Sequence, residues 1–137
     1  LHTLFPYTTL FRSCDVVVVT LPYTKSTYHL INDDMFSSMK DGTFFINVAR
    51  GNIVDEPCLI KNLKNGKLAG AAIDVYEEEP LKDNSELWEV DNIILTSHNS
   101  WISQRRNERR FETIYENMKR YVGPKELVNV VDLKKGY

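Results

Sequence analysis

Arg50, Glu79 and His98 each stand just beyond an apolar run that reads as a parallel β-strand, over residues 43–48, 68–75 and 92–96 respectively. In an open α/β sheet, ligands bind in the crevice at the carboxyl ends of the strands, so three side chains far apart in sequence would converge there. A guanidinium, a carboxylate and an imidazole gathered at one crevice outline a site for reducing a carbonyl group. Singly, each has an ordinary account: Arg50 as a loop charge, Glu79 as one of three adjacent acids, His98 as a strand-end histidine. Their shared position is what points to chemistry.

The elements that would hold them follow from pattern. Val16, Val17, Val18 and Val19 form a β-branched run too continuous for an edge strand and suited to a sheet covered on both faces. Asn32 can cap a short helix with Asp33 and Asp34 in its first turn and Met35, Phe36 and Met39 on its apolar side. Asp55 reads as the next N-cap, with Pro57 in the first turn, Leu59, Ile60 and Leu63 facing inward, and Gly66 near the C-cap. A Pro- and acid-rich connection over residues 77–90 leads to the last strand. Strands alternating with helices imply a parallel sheet with right-handed crossovers. Residues 102–122 then form a long helix, with Phe111, Ile114, Tyr115, Met118, Tyr121 and Val122 on one face expected to be buried. Gly123 and Pro124 stop it, and residues 127–131 read as a short extended tail.

With 42% hydrophobic and 26% charged residues, the chain has the composition of a globular domain or part of one. The formal net charge of −2 gives no basic footprint for nucleic acid, and no stretch approaches the length needed to span a bilayer. Cys14 and Cys58 fit no metal-ligand spacing and no disulfide framework, so inert thiols, no metal and a reducing, cytoplasmic setting are expected. Arg105, Arg106, Arg109 and Arg110 interleave with Glu108, Glu112 and Glu116 at helical spacing, which is read as a solvated, salt-bridged face without a function. His2 and His29 are read as incidental, and Glu77 and Glu78 as solvated. Residues 3–13 look like the in-frame translation of a sequencing adapter, so residues 1–13 are expected to be non-native and the chain a fragment.

From Cys14 onward the sequence resembles the C-terminal part of a D-isomer-specific 2-hydroxyacid dehydrogenase. The likeness rests on Asp15 to Pro22 (DVVVVTLP) followed by Thr27 to Asn32 (TYHLIN), and on Met39 to Asp55 (MKDGTFFINVARGNIVD). Gly70 to Pro80 (GAAIDVYEEEP) and Leu95 to His98 (LTSH) complete the set in the same order. The resemblance implies an α/β fold: the C-terminal part of a Rossmann-type, doubly wound parallel sheet, plus a long C-terminal helix returning toward the substrate lobe. On that view residues 14–101 are part of an NAD(P)-binding domain and residues 102–137 belong to the substrate lobe.

The resemblance also implies roles. Arg50 would grip a substrate carboxylate in a fork and polarise the neighbouring ketone. His98 would protonate the carbonyl oxygen, and Glu79 would fix the far imidazole nitrogen and favour the protonated ring. Asp74 corresponds to the contact with the nicotinamide carboxamide. Thr20, Leu21, Val48 and Ala49, together with Arg50 and His98, correspond to the lining beside the cofactor. Trp101, three residues past His98, could face the side chain of a pyruvate-like or larger apolar 2-oxo acid, or pack under the last helix. No GxGxxG occurs and the acid that would select between NAD and NADP lies outside the sequence, so both cofactors stay open. The intact parent is expected to be a homodimeric NAD(P)-dependent reductase of small 2-oxo acids, with a corepressor-like, dinucleotide-sensing protein on the same fold as the alternative. The 137 residues alone are expected to be inactive, with the apolar edge of Val16 to Val19 and the helix face around Phe111 and Met118 left without their partners.

Overall fold

In the computed structural model of the protein, residues 11–137 are described. They divide into two compact units that meet in sequence between His98 and Asn99. The suspected adapter stretch falls largely outside the described residues; of it, only residues 11–13 are seen.

The first unit is built on four parallel strands in spatial order β1-β2-β3-β4: β1 (Val16–Val19), β2 (Thr43–Asn47), β3 (Leu68–Ile73) and β4 (Ile93–Leu95). Their register places Val17 beside Phe45 and Phe45 beside Ala71, and one step on Val19 beside Asn47 and Asn47 beside Ile73. These residues form one face of the sheet, and all are buried. Two helices, α1 (Asp33–Ser38) and α2 (Glu56–Lys64), contribute Phe36, Leu59, Ile60 and Leu63 to the same core. Phe36 and Phe45 meet edge to face at 5.2 Å, an arrangement that suits the aromatic quadrupoles.

Local chemistry sets the ends of these helices. Asn32 Oδ1 accepts the Met35 N–H at 3.2 Å, and Asp55 Oδ1 accepts the Cys58 N–H at 3.0 Å, so both expected caps form. Gly42 and Gly66 turn the chain at φ 81° and 79°, where a side chain would be strained. Cys14 and Cys58 are free thiols, and burial pushes Cys58 upward from the ordinary thiol value.

Three expectations are corrected. Among the described residues β1 is an edge strand rather than the enclosed strand its valines suggested, and its alternate residues Val16 and Val18 are half exposed, the open apolar surface expected of the 137 residues taken alone. The last helix, α3 (Arg106–Val122), lies in the second unit, begins four residues later than expected, and buries none of its residues. Its apolar stripe is present, but Phe111, Ile114, Met118 and Tyr121 find no covering partner among the described residues and are 60–81% exposed. The start is displaced because no side chain caps it: Arg105 holds the capping position without a side-chain hydrogen bond. Finally, the tail over residues 127–131 bends rather than extends. Val128 instead exchanges hydrogen bonds with the Asn117 amide at 2.9 and 3.1 Å.

Candidate active site

The loops at the carboxyl ends of β2, β3 and β4 carry Arg50, Glu79 and His98. After β2, the buried Asn47 folds the chain back on itself: its Oδ1 accepts the Ala49 N–H and its Nδ2 donates to the Arg50 carbonyl, both at 3.1 Å. A buried amide with both ends satisfied is a firm local template. It holds the backbone of Arg50, whose own Nη1 donates to the Ala49 carbonyl at 2.7 Å. Immediately afterwards Gly51 lies against the Tyr76 peptide. A Cβ at position 51 would collide with the Tyr76 carbonyl, so only glycine lets the loops after β2 and β3 meet backbone to backbone.

The loop after β3 begins with Asp74, 3% exposed, whose Oδ1 accepts from the Thr96 hydroxyl. Tyr76 is also buried and donates its hydroxyl to the Thr96 carbonyl at 2.7 Å, tying this loop to the end of β4; burial holds its phenol above the ordinary tyrosine range. Glu79 precedes a cis Pro80 and folds back so that Oε1 accepts the Tyr76 N–H at 3.1 Å. Its other oxygen, Oε2, lies 2.7 Å from His98 Nδ1.

This carboxylate–imidazole pair is the central feature of the site. Burial pushes Glu79 upward, but the hydrogen bonds from His98 and Tyr76 outweigh it. With the added attraction of His98 and Arg50, the carboxyl rests below the ordinary glutamate range. The Arg50 charge therefore reaches the pair. A carboxylate on Nδ1 leaves Nε2 as the ring atom that can carry a proton to or from a ligand. His98 itself has φ 51°, in the left-handed region that residues other than glycine rarely adopt, and backbone strain of that kind collects at functional sites.

Of the other residues singled out by sequence, Thr20 and Leu21 follow β1 and are exposed, Val48 is partly exposed after β2, and Ala49 is buried. Leu21 and Val48 offer apolar surface, and Asp74 is a buried acceptor at a strand end. Trp101 belongs to the second unit, where the Arg106 and Arg110 guanidinium groups lie 4.4 and 5.8 Å from its ring centroid, a cation–π arrangement against the first turns of α3. Arg105 pairs with Glu108 at 3.0 Å, and Arg120 and Lys119 both pair with Glu116, in keeping with a salt-bridged helix surface.

Sequence reasoning missed several contributors. Asn47, Tyr76 and Thr96 lie inside the motifs but were not assigned roles, since each acts on backbone remote in sequence. Glu77 is not solvated as expected: its Oε1 accepts the Glu56 N–H at 2.8 Å, and its own N–H donates to Glu56 Oε2 at 3.3 Å. Nor is His29 idle, for it stands between Asp55 and Glu77. A separate groove of about 740 Å³ runs between α2 and the acidic loop after β3, lined by Ile60, Leu81, Lys61, Lys64 and Lys82 among others. Its lysines pair with Asp33, Glu86 and Glu78, and it contains none of Arg50, Glu79 and His98. No group of three or more His, Cys, Asp or Glu among the described residues is arranged to hold a metal ion.

Comparison with known proteins converges on one family. Residues 2–100 match the family model described as "D-isomer specific 2-hydroxyacid dehydrogenase, NAD binding domain". The chain is 42% identical to a glyoxylate reductase of Pyrococcus horikoshii over 135 residues, covering 95% of this chain and 40% of that relative. A D-isomer specific 2-hydroxyacid dehydrogenase of Xanthobacter autotrophicus, solved with NADPH and MES, superposes with a TM-score of 0.85 at 38% identity over 95% of this chain and 53% of its own. An NADPH-dependent glyoxylate/hydroxypyruvate reductase of Sinorhizobium meliloti, solved with NADP and sulfate, gives a TM-score of 0.85 at 30% identity over 95% and 42% of the two chains. The chain thus spans about two-fifths of the length of the curated relative.

Proposed function

The chain belongs to the D-isomer specific 2-hydroxyacid dehydrogenase family, and from that premise we propose that the intact protein is an NAD(P)-dependent reductase of small 2-oxo acids, and a dehydrogenase of the matching D-2-hydroxy acids. The observation that carries the reading is the 2.7 Å contact between Glu79 and His98 at the carboxyl edge of the sheet, where the loop after β2 also carries Arg50. The relatives compared are named as reductases or dehydrogenases, which supports an enzyme over the dinucleotide-sensing alternative.

In this reading Arg50 binds the substrate carboxylate, two parallel N–H donors meeting two oxygens, and thereby sets the orientation of the ketone. The nicotinamide of NADH or NADPH, when bound, supplies the hydride. His98 gives the proton from Nε2 to the carbonyl oxygen, and takes it back in the oxidative direction. Glu79 holds the imidazole by Nδ1 and stabilises its protonated form as an anion held in the ionised state. Leu21, Val48 and Ala49, with Thr20, would line the ring of that cofactor, and Asp74 would hold its carboxamide. The intact protein works as a cytoplasmic homodimer, with residues 14–101 in the cofactor domain and residues 102–137 in the substrate lobe.

The full-length protein should oxidise NADH or NADPH with at least one of glyoxylate, hydroxypyruvate, pyruvate or a branched 2-oxo acid. His98→Ala should lower kcat by roughly 10²- to 10⁴-fold, the usual worth of a placed acid. Absence of turnover with every member of that panel, or wild-type rates in His98→Ala, would overturn the assignment.

A further inference from the structure

Two residues before Glu79, the same loop enters a second cluster that the proposed reaction does not use. His29, in the connection between β1 and α1, has Nε2 3.1 Å from Glu77 Oε1 and Nδ1 3.7 Å from Asp55 Oδ2. Nε2 is shielded from solvent, and its approach to Glu77 lacks the alignment of a hydrogen bond, so the contact is one of close packing. The ring is stacked on Tyr28 with centroids 4.0 Å apart and planes 12° from parallel. Its backbone is held as well. At φ 46° the residue is in the left-handed region, its N–H donates to the Asn52 carbonyl at 2.9 Å, and two residues on Ile31 forms an isolated parallel bridge with Val54.

Three loops therefore meet at this imidazole. Asp55 caps α2 directly after the Arg50 loop, and Glu77 lies two residues before Glu79. Glu56 and Glu77 bind each other's backbone N–H groups, which brings two carboxylates together beside that of Asp55. Glu56 registers the crowding: burial, together with repulsion from Glu77, raises it above the ordinary glutamate range. Without an imidazole between them, Asp55 and Glu77 would face each other as like charges, and the loop leading to Glu79 would be pushed from its seat.

We propose that His29 is a positioning residue: it pins Glu77 against the start of α2 and so fixes the loop from which Glu79 reaches His98. This rests on the reading of Glu79 and His98 as the proton-handling pair, but its test does not depend on turnover. In the 137-residue chain with ¹⁵N-labelled histidine, the Glu79 hydrogen bond should give a strongly downfield His98 Nδ1–H proton resonance. His29→Ala should abolish that resonance, and the Glu79 carboxyl, followed by ¹³C shift, should titrate closer to the ordinary glutamate range. His29→Gln, which restores a polar side chain between Asp55 and Glu77, should recover both signals. Asn32→Ala removes the α1 cap and weakens the same unit without touching Glu77, so it should lower the melting temperature and leave the resonance in place.

The proposal is overturned if the wild-type chain lacks the resonance, if His29→Ala retains it, or if Asn32→Ala loses it equally. A chain that behaves as proposed while full-length His98→Ala keeps wild-type turnover would leave the positioning intact and remove only the catalytic reading.

Discussion

Val17 and Val18 are neighbours in one strand and could hardly differ more: the first is 7% exposed and the second 51%. The contrast extends across the sheet. On the side of Val17, Phe45 and Ile73 the strands are sealed by α1 and α2, and the polar groups buried there, Asn47 and Thr43, have hydrogen-bond partners. On the side of Val18, Phe44 and Ile94 the surface is just as apolar but open among the described residues. Parallel sheets are ordinarily covered on both faces, and an uncovered apolar face of this kind invites association. The sealed face supplies the first unit's stability and the footing of its loops. The open face shows where the sheet has apolar surface left to bury.

Charge should break the comparison most sharply. Val17→Lys would bury an unpaired ammonium, at a cost on the order of several kcal/mol, and the first unit should lose its cooperative unfolding transition. Val18→Lys should leave the urea midpoint nearly where it was and reduce binding of a hydrophobic dye, because it places a charge on open surface beside an unpaired strand edge. Equal damage from the two would show that the open face is sealed in solution.

A smaller effect is expected from truncation. Phe45→Ala should destabilise the unit by about 3–5 kcal/mol through loss of a fully buried ring and the cavity left beside Phe36. Phe44→Ala, one residue away and 53% exposed, should cost no more than about 1 kcal/mol in the same denaturation experiment.

The smallest effect concerns the rim of the sheet, where two carboxylates should respond to pH with opposite signs. Glu79 is lowered in the folded chain, so its contribution is present above the ordinary glutamate value of about 4.3 and is lost as pH falls through its folded value. Glu56 is raised, so its contribution is full below that value and is lost as pH rises through its folded value. In urea midpoints measured from about pH 3 to 7, Glu79→Gln should flatten the acid-side decline, and Glu56→Gln should lessen the loss toward neutrality. Matching slopes in the two variants would contradict this assignment.

Much of this architecture was legible in the residues because it depends on short-range rules. Asn32 and Asp55 cap helices three residues away, and the alternation within β1 and β2 follows the pleat whatever lies beyond it. Arg50, Glu79 and His98 could be singled out because each follows a strand, and parallel topology fixes where strand ends go. What pattern could not reveal depends on distant partners. Glu77 looked like one more acid in a row of three, yet its partners are Glu56, at the start of α2, and His29, on another loop. The stripe on α3 announced a surface to be buried without saying what would bury it. Trp101 could not be read because Arg106 and Arg110, which flank its ring, belong equally well to an ordinary charged helix face.

The missing side chain at Gly51 has a mechanical consequence. Because nothing compressible separates that residue from the Tyr76 peptide, the segments bearing Arg50 and Glu79 are geared together like meshed teeth. A shift of either loop would be passed to the other at this contact, so a side chain added at position 51 would displace both segments at once.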